Sequence, residues 1–331
     1  MRAVKLVEAH RLELVDAPDP EATPGEVVVR VNGCGICGSD LSSYKVGLFT
    51  DAVPGHELAG VVETVGDGVA GWSPGDQAVI DPKIPCGACD DCRNGASHRC
   101  AMALTAGIGF ARDGGFAELV AAPATLLHRL PPGLALENAC LVEPLSVAIH
   151  GVERARLGAG DGAVVIGLGP IGLFTVATLH ARGVSPIVGV DPVADRRRIA
   201  LELGATAAVA EVREVRSHTG AVPAVIECSG HAPLLQSAAD LVAPGGRLVL
   251  VGVPFGETSV APLMWVTREI EIVGSIASSA GDFVESLRML GEDAGLARIV
   301  TRRASLAELP EVFEELITPA SGGKVVVDPR L

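Results

Sequence analysis

The sequence predicts an α/β protein with two differently built parts, and three stretches of the chain lead to this prediction. Up to about Val142, short alternating runs are cut by Gly, Pro and Asp, which is typical of antiparallel strands. From about Ser146, apolar strand-like runs alternate with helical stretches, which indicates a parallel sheet covered on both faces. After Ser275 the chain continues with two helical stretches and a last strand, GGKVVVD.

Length and composition narrow the class of protein. The chain has 331 residues, which suits two domains, and its 48% apolar and 20% charged residues are typical of a globular protein. A net charge of −14 argues against nucleic acid or an anionic membrane as the main partner. The first residues contain no apolar segment typical of a signal peptide, so we expect a cytoplasmic protein.

The first part reads as a sheet or small barrel. The runs EVVVRVNG, LAGVVETVG and GDQAVIDP alternate apolar and polar residues and end at turn-forming residues. In the second part, AVVIGLGPIGLFTVATLHARG reads as a buried strand, a tight turn and a helix. Its uncharged run reaches the lower length limit of a membrane span, but its glycines and Pro170 favour the buried interpretation.

Four cysteines lie close together in CGACDDCRNGASHRC, with the spacing C-x2-C-x2-C-x7-C. Four thiolates on one loop can surround a zinc ion, and the same spacing could also hold an iron–sulfur cluster. Free buried thiols fit poorly with so polar a loop. We predict a structural zinc site, closed to substrate, with the ligands Cys86, Cys89, Cys92 and Cys100.

A catalytic metal site needs a second, open set of ligands. The stretch NGCGICGSD contains Cys34 and Cys37, whose C-x-x-C spacing fits a redox pair, half of a metal site or coincidence. His56 and Glu57 stand side by side in PGHELAG, and Glu143 lies in VEPLSVAIHG. With Cys37 these residues offer one sulfur, one nitrogen and two oxygen donors, which zinc accepts in catalytic sites.

The stretch VIGLGPIG predicts a dinucleotide site. Gly167, Gly169 and Gly172 form G-x-G-x-x-G between an apolar strand and a helix, which places backbone amides and a helix N-terminus at a pyrophosphate. Asp191 ends the next strand, where an acid binds the ribose hydroxyls and repels a 2′-phosphate. NAD is therefore favoured over NADP, although the arginines of DRRR, beginning at Arg196, could pair with a phosphate.

Taken together, CGICGSD, GHELAGVV, the four-cysteine loop, VEPLSVAIHG and VIGLGPIG resemble the zinc-dependent medium-chain alcohol dehydrogenases, in the polyol (sorbitol) and threonine dehydrogenase branch. The resemblance covers nearly the whole chain. It implies a GroES-like, partly barrel-shaped catalytic domain over residues 1–146, completed by 278–331. A Rossmann domain with a doubly wound parallel sheet would occupy residues 147–277, with the active site in the cleft between the domains.

The resemblance also implies roles for the metal-site residues. A catalytic zinc would be bound by Cys37, His56 and an acidic residue. Glu57 and Glu143 would each lie close enough to the zinc to exchange places with water or substrate. Cys37, rather than Cys34, takes the position of the ligand in the family motif. Ser39 would begin the proton relay, with its hydroxyl touching both the reacting oxygen and the nicotinamide ribose.

Further cofactor contacts follow from the same resemblance. Pro170 and Ile171 would line the pyrophosphate turn, and Arg196 would flank the adenosine. The expected neighbours of the nicotinamide are Val251, Val253, Ser275 and Ala277.

The expected reaction is hydride transfer between NAD and a secondary alcohol such as a polyol, cyclitol or aminocyclitol. Two alternatives are a threonine 3-dehydrogenase-like oxidation and a family member that binds nucleotide without catalysis. Family members pair through the last Rossmann strand, so we expect a homodimer or homotetramer.

Overall fold

A computed structural model describes residues 1–50, 52–253, 256–318 and 322–331, apart from the side chain of Leu104. Contacts divide the chain into two compact units. Unit 1 consists of Met1–Glu143 and Ser279–Leu331, and unit 2 of Pro144–Ser278. Within the described ranges, every helix is too short or too polar to cross a membrane.

The strands of both units are mostly short. In chain order they are β1 (Arg2–Glu8), β2 (Arg11–Asp16), β3 (Glu26–Gly35), β4 (Glu57–Val65), β5 (Gln77–Ile80), β6 (Leu119–Pro123), β7 (Leu127–Arg129), β8 (Ala163–Ile166), β9 (Ile187–Val190), β10 (Ala207–Val209), β11 (Val222–Glu227), β12 (Val242–Leu250), β13 (Glu271–Gly274), β14 (Val300–Ala304) and β15 (Lys324–Val327).

The α-helices vary from a single turn to about four turns. They are α1 (Gly38–Val46), α2 (Asp90–Arg93), α3 (Ala101–Thr105), α4 (Val142–Ala155), α5 (Pro170–Ala181), α6 (Ala194–Glu202), α7 (Leu235–Leu241), α8 (Pro262–Val266), α9 (Ala280–Glu292) and α10 (Leu309–Leu316).

Unit 1 is built on a seven-stranded sheet with the order β14-β15-β3-β4-β5-β7, and β6 pairs with the other part of β3. All of these pairs are antiparallel except β14 with β15. The C-terminal β15 lies beside β3, so residues from the two ends of the chain meet in the centre of this sheet. A separate hairpin, β1-β2, completes the strands of this unit.

Unit 2 is a six-stranded parallel sheet with the order β10-β9-β8-β11-β12-β13. Counted within the unit, this is the order 3-2-1-4-5-6 of the doubly wound dinucleotide-binding fold. The central β8 and β9 are buried along their whole lengths, because helices cover both faces of such a sheet. The predicted α/β class is confirmed.

The cores of the two units are largely aliphatic, in keeping with the few aromatic residues of the sequence. In unit 1, valines and leucines of β3, β4 and β15 pack with a few aromatic rings, among them Phe116 and Phe313. In unit 2 the core is formed mainly by valines of β8, β9 and β11 and by alanines of α7. These rigid sheets fix the strand ends on which the candidate site residues lie.

Candidate metal and cofactor sites

The four-cysteine loop of unit 1 brings its sulfur atoms together as the spacing predicts. It follows β5 and contains α2. The sulfur of Cys92 lies 3.5 Å from that of Cys89 and 4.0 Å from that of Cys86. A zinc ion with bonds of about 2.3 Å to four sulfurs needs sulfur–sulfur distances of about 3.8 Å. The loop therefore has the dimensions of a closed zinc site.

Backbone amides of the same loop point at the sulfurs. The N–H groups of Ala88 and Cys89 donate to the sulfur of Cys86 at 3.5 and 3.4 Å, and the Cys86 N–H donates to the sulfur of Cys100 at 3.4 Å. The amides of Ala88 and Cys89 lower the pKa of Cys86 to about 6. These amides thus favour the thiolate form of Cys86, which is the form that binds metal, whereas burial raises the pKa of Cys92 to about 12.

A second cluster of donor atoms joins Cys37, His56 and Glu57. Their ligand atoms all lie within 4.8 Å of one another. Cys37 is the N-cap of α1, two residues after the end of β3, and its backbone N–H donates to Asp40, which fixes the start of the helix. His56 directly precedes β4, and Glu57 is the first residue of this strand and pairs with Gly35 of β3. Adjacent strand ends therefore bring the donors together.

The surroundings of His56 favour a positive charge. Its Nδ1 lies 3.3 Å from Oδ1 of the buried Asp40, an ion-pair contact without hydrogen-bond alignment. Burial lowers the pKa of His56, but the charges of Asp40 and Cys37 outweigh this effect and raise the pKa well above its usual value. The ring of Phe110 stacks on the imidazole at a centroid distance of 4.8 Å and fixes its plane.

Glu57 is completely buried, and within the described ranges neither of its carboxylate oxygens receives a hydrogen bond. One of them, Oε2, forms an ion pair with Nζ of Lys324. Oε1 is left without a polar partner among the described residues, which is costly for a buried charge unless a cation binds it. One sulfur, one imidazole and one unsatisfied carboxylate oxygen fit a zinc ion with an open fourth position.

Glu143 lies outside this three-residue cluster, at the first turn of α4. Burial raises its pKa to about 7, while the charge of His56 lowers it and that of Glu57 raises it. The carboxyl group of Glu143 is thus buried within electrostatic reach of the cluster. Ser39, in contrast, is exposed in the first turn of α1, two residues after Cys37.

All eight cysteines are free, so the C-x-x-C of Cys34 and Cys37 is not a disulfide. Cys34 lies on β3 in the core of unit 1, and burial raises its pKa well above the usual value. Burial likewise raises the pKa of Cys140 and of Cys228 to about 12. Cys34 and Cys140 are thus small buried side chains, and Cys228 is half-buried.

In unit 2 the glycine motif forms the expected tight turn between β8 and α5. Gly167 has a φ of +86°, and a Cβ atom there would lie 2.6 Å from the backbone nitrogen of Ser229. At Gly172 a Cβ atom would lie 1.8 Å from the carbonyl oxygen of Gly167. Gly169 is the N-cap of α5, whose first residue is Pro170, followed by Ile171. The helix therefore begins with free amide groups at a closely folded turn.

Asp191 lies directly after β9 and connects this strand with the glycine turn. Its carboxylate accepts hydrogen bonds from the N–H groups of Leu168 at 2.8 Å and Val193 at 2.9 Å. The guanidinium of Arg196 lies 3.4 Å from the same carboxylate. The acid and the first arginine of DRRR are thus paired with each other beside the turn.

The residues expected along the nicotinamide lie at the carboxyl ends of β12 and β13. Val251 and Val253 follow β12, and Ser275 and Ala277 follow β13. The N–H of Ser275 donates to Leu250 at 2.8 Å, while its Oγ is buried without a hydrogen-bond partner in the described parts of the chain. The same edge of the sheet carries the glycine turn, where such folds bind dinucleotides.

Three residues at the metal cluster were missed by sequence reasoning, namely Asp40, Phe110 and Lys324. Asp40 lies within the quoted motif CGSD, so its position next to a ligand was a usable signal. Lys324 is a charged residue on a strand that is buried throughout, and it is one of only four lysines, Lys5, Lys45, Lys83 and Lys324. Phe110 has no comparable signal in the sequence.

Two family models match the chain. Residues 23–132 match the alcohol dehydrogenase GroES-like domain, and residues 170–292 match the zinc-binding dehydrogenase domain. The chain belongs to the zinc-dependent medium-chain alcohol dehydrogenases. The predicted resemblance and the GroES-like and Rossmann folds are thus confirmed for this dehydrogenase. It is an oxidoreductase of a class that uses zinc and a nicotinamide cofactor.

Similar proteins act on several alcohols. D-altritol 5-dehydrogenase of Agrobacterium fabrum is 32% identical, with 95% of each chain covered. The 2-dehydro-3-deoxy-L-galactonate 5-dehydrogenase of Pseudoalteromonas atlantica is 31% identical, with 99% of this dehydrogenase and 96% of the relative covered. A protein of Sinorhizobium meliloti described as a zinc-binding dehydrogenase, solved with NADP, is 33% identical with a TM-score of 0.90 and 99% of each chain covered.

The two donor clusters predict two zinc ions per chain of this dehydrogenase. Replacing Cys92 by Ser removes one sulfur from the closed site and should reduce the zinc content to one ion per chain. Metal analysis by mass spectrometry after extensive dialysis measures this content. The matched control is Cys140→Ser, a buried cysteine outside both clusters, which should retain two ions. Two ions in Cys92→Ser would contradict the assignment.

Proposed function

We propose that this dehydrogenase oxidises a secondary alcohol carrying neighbouring hydroxyl groups, a polyol or cyclitol, and transfers the hydride to NAD. The observation that carries the proposal is the cluster of Cys37, His56 and Glu57, which offers three donors and so leaves one of four zinc positions open. The four-cysteine loop is complete without substrate and would serve stability alone. Unit 1 would hold the metals and unit 2 the cofactor.

Some residues of the metal cluster would bind the metal, and others orient the residues that bind it. Cys37, His56 and Glu57 would hold the catalytic zinc, and Asp40 with Phe110 keeps the imidazole of His56 in place. When bound, the zinc ion makes an alcohol hydroxyl more acidic, and the nicotinamide accepts the hydride. Glu143 supplies a further buried carboxyl group, whose raised pKa of about 7 suits proton exchange at neutral pH.

Ser39 is the proposed first acceptor of the alcohol proton. Its side chain is exposed, and it lies two residues from Cys37 in the first turn of α1. A hydroxyl group can accept a proton while donating its own, and because Ser39 is exposed, the proton that it donates can pass to water. The chain therefore needs no strong base beside the substrate.

Two considerations support NAD as the cofactor. The carboxylate of Asp191 stands beside the glycine turn, where it would bind ribose hydroxyls and repel a 2′-phosphate. Arg196, the residue that could neutralise such a phosphate, is already paired with Asp191. The similar protein from Sinorhizobium meliloti was solved with NADP, so the choice needs a direct test.

A homo-oligomer is proposed for this chain through the outer edge of unit 2. The strand β13 is the last of its sheet and has exposed residues along its length. Large apolar side chains are exposed on β13 and the segments that flank it, namely Leu263, Met264, Val266, Ile272 and Ile276. A free strand edge with apolar neighbours is a surface that a second copy can cover.

A substrate panel tests the proposed reaction. NADH formation is measured with sorbitol, xylitol, myo-inositol, an aminocyclitol, L-threonine and simple secondary alcohols. We expect turnover with one polyhydroxy class, because the neighbouring hydroxyl groups of such a substrate can donate hydrogen bonds to the carboxylates at the site.

The variant Ser39→Ala tests the proton relay. It should keep both zinc ions and lose about a hundredfold or more in kcat. Turnover of L-threonine or of simple alcohols alone would contradict the substrate class, and a fully active Ser39→Ala would remove Ser39 from the relay.

Replacing Asp191 by Ser tests the cofactor. The change removes the negative charge that would repel a 2′-phosphate and releases Arg196. We expect the ratio of kcat/KM for NAD to that for NADP to fall about tenfold or more. Asp195→Ser, on the exposed first turn of α6, is the matched control and should leave the ratio in place. An unchanged ratio in Asp191→Ser would overturn the role of this carboxylate.

A further inference from the structure

Lys324 is a buried cation at the metal cluster. It is only 2% exposed, although lysine is rarely buried without a partner. Its Nζ donates to the carbonyl oxygen of Ile36 at 2.7 Å and forms an ion pair with Oε2 of Glu57. Ile36 directly precedes Cys37, and Glu57 is a member of the same donor cluster. The lysine is therefore held next to the metal cluster.

The sheet of unit 1 makes room for this ion pair at one position. Gly35 on β3 pairs with Glu57 on β4 and with Val326 on β15. A Cβ atom on Gly35 would lie 2.0 Å from Oε2 of Glu57 and 2.6 Å from Cε of Lys324. Because Gly35 has no side chain, the side chains of Lys324 and Glu57 can occupy the space beside it and contact each other.

We propose that Lys324 is a positioning residue that holds Oε2 of Glu57 and leaves Oε1 as the only atom offered to the catalytic metal. This inference rests on the proposed function. Oε1 is buried and without a hydrogen-bond partner in the described parts of the chain, whereas Oε2 is held by a cation. Glu57 would then offer one oxygen to the metal, which would leave the fourth position for the substrate oxygen.

Two effects of Lys324 act in the same direction. Its positive charge repels a metal cation in a site with little screening by water. Its contact also keeps Oε2 from joining Oε1 on the metal, where a two-oxygen carboxylate would fill the open position. Removal of the charge should therefore make metal binding tighter and change the coordination, although the substrate position would be lost.

The experiment loads cadmium-113 in place of zinc at both sites of the 331-residue chain and records its NMR spectrum at one fixed pH. A four-sulfur site and a site with one sulfur give separate resonances, because the chemical shift depends on the donor atoms. In Lys324→Met we expect the resonance of the Cys37 site to move and that of the four-cysteine site to stay. Competition with a chelator should show the cadmium at the Cys37 site bound about tenfold tighter or more.

Lys83→Met is the matched control. Lys83 is the other buried lysine of unit 1 and forms an ion pair with Asp81 at 2.7 Å. Its positive charge lowers the pKa of Glu143. Its replacement removes a nearby positive charge without removing the contact to Glu57. We expect a smaller movement of the Cys37-site resonance than in Lys324→Met.

A double substitution keeps the test valid if Lys324→Met does not fold, since it would leave the Glu57 charge buried and unpaired. The double variant Glu57→Gln/Lys324→Met removes both charges. Removing the charge of Lys324 still acts on the metal directly, so the sizes of the movements are compared. If Lys324 acts chiefly by holding Glu57, the resonance should move less between Glu57→Gln and the double variant than between the wild type and Lys324→Met. An equal or larger movement between Glu57→Gln and the double variant would overturn the inference.

The outcomes separate this inference from the proposed function. A wild-type spectrum without a resonance for the Cys37 site would contradict the catalytic metal site, and with it the proposed function. A resonance that is present in the wild type but unmoved in Lys324→Met, with unchanged or weaker cadmium binding, would overturn the role of Lys324 and leave the proposed function standing.

Discussion

The carboxylate of Glu57 lies completely buried in the sheet of unit 1, and the arrangement of the metal cluster follows from the need to neutralise it. An uncompensated charge in such a place would cost about 3–5 kcal/mol. Lys324 offsets part of this cost through Oε2, and the carboxylate also brings an oxygen within 4.8 Å of the ligand atoms of Cys37 and His56. The glycine at position 35 and the register of β15 against β3 make room for this ion pair, and the buried Asp40 is paired with His56 instead.

The same principle explains why the two metal sites differ. In the four-cysteine loop the charges belong to thiolates on a partly exposed loop, where backbone amides lower the pKa of Cys86 and a metal can complete the site. At the Cys37 cluster the donors come from strand ends inside the unit, and side chains of fixed charge surround them. One site is therefore suited to holding a loop, and the other to holding a metal ion that still has a free position.

The sequence allowed the donor atoms to be predicted but not the groups that orient them. Cys37, His56 and the four cysteines of the loop lie in short motifs, and residues a few positions apart on a turn or strand end must also be close in space. The resemblance to a known family added Glu143 and the residues after β12 and β13 to the predicted site residues. Lys324 could not be found in this way, because it meets its partner Ile36 across 288 positions of sequence and through the pairing of β15 with β3. Phe110 reaches His56 only through the folding of a loop. The doubly wound sheet, in contrast, was predictable, because its buried strands and glycine turn are encoded locally.

The most direct test of this account is an anomalous difference map from crystals of the zinc-loaded protein, recorded at the zinc absorption edge. We expect two peaks per chain. One should lie among the sulfurs of the four-cysteine loop, and the other about 2.3 Å from the sulfur of Cys37 and about 2.0–2.2 Å from a ring nitrogen of His56 and from Oε1 of Glu57. A single peak in the four-cysteine loop, with Glu57 bound only to Lys324, would contradict the catalytic metal site on which the proposed reaction depends.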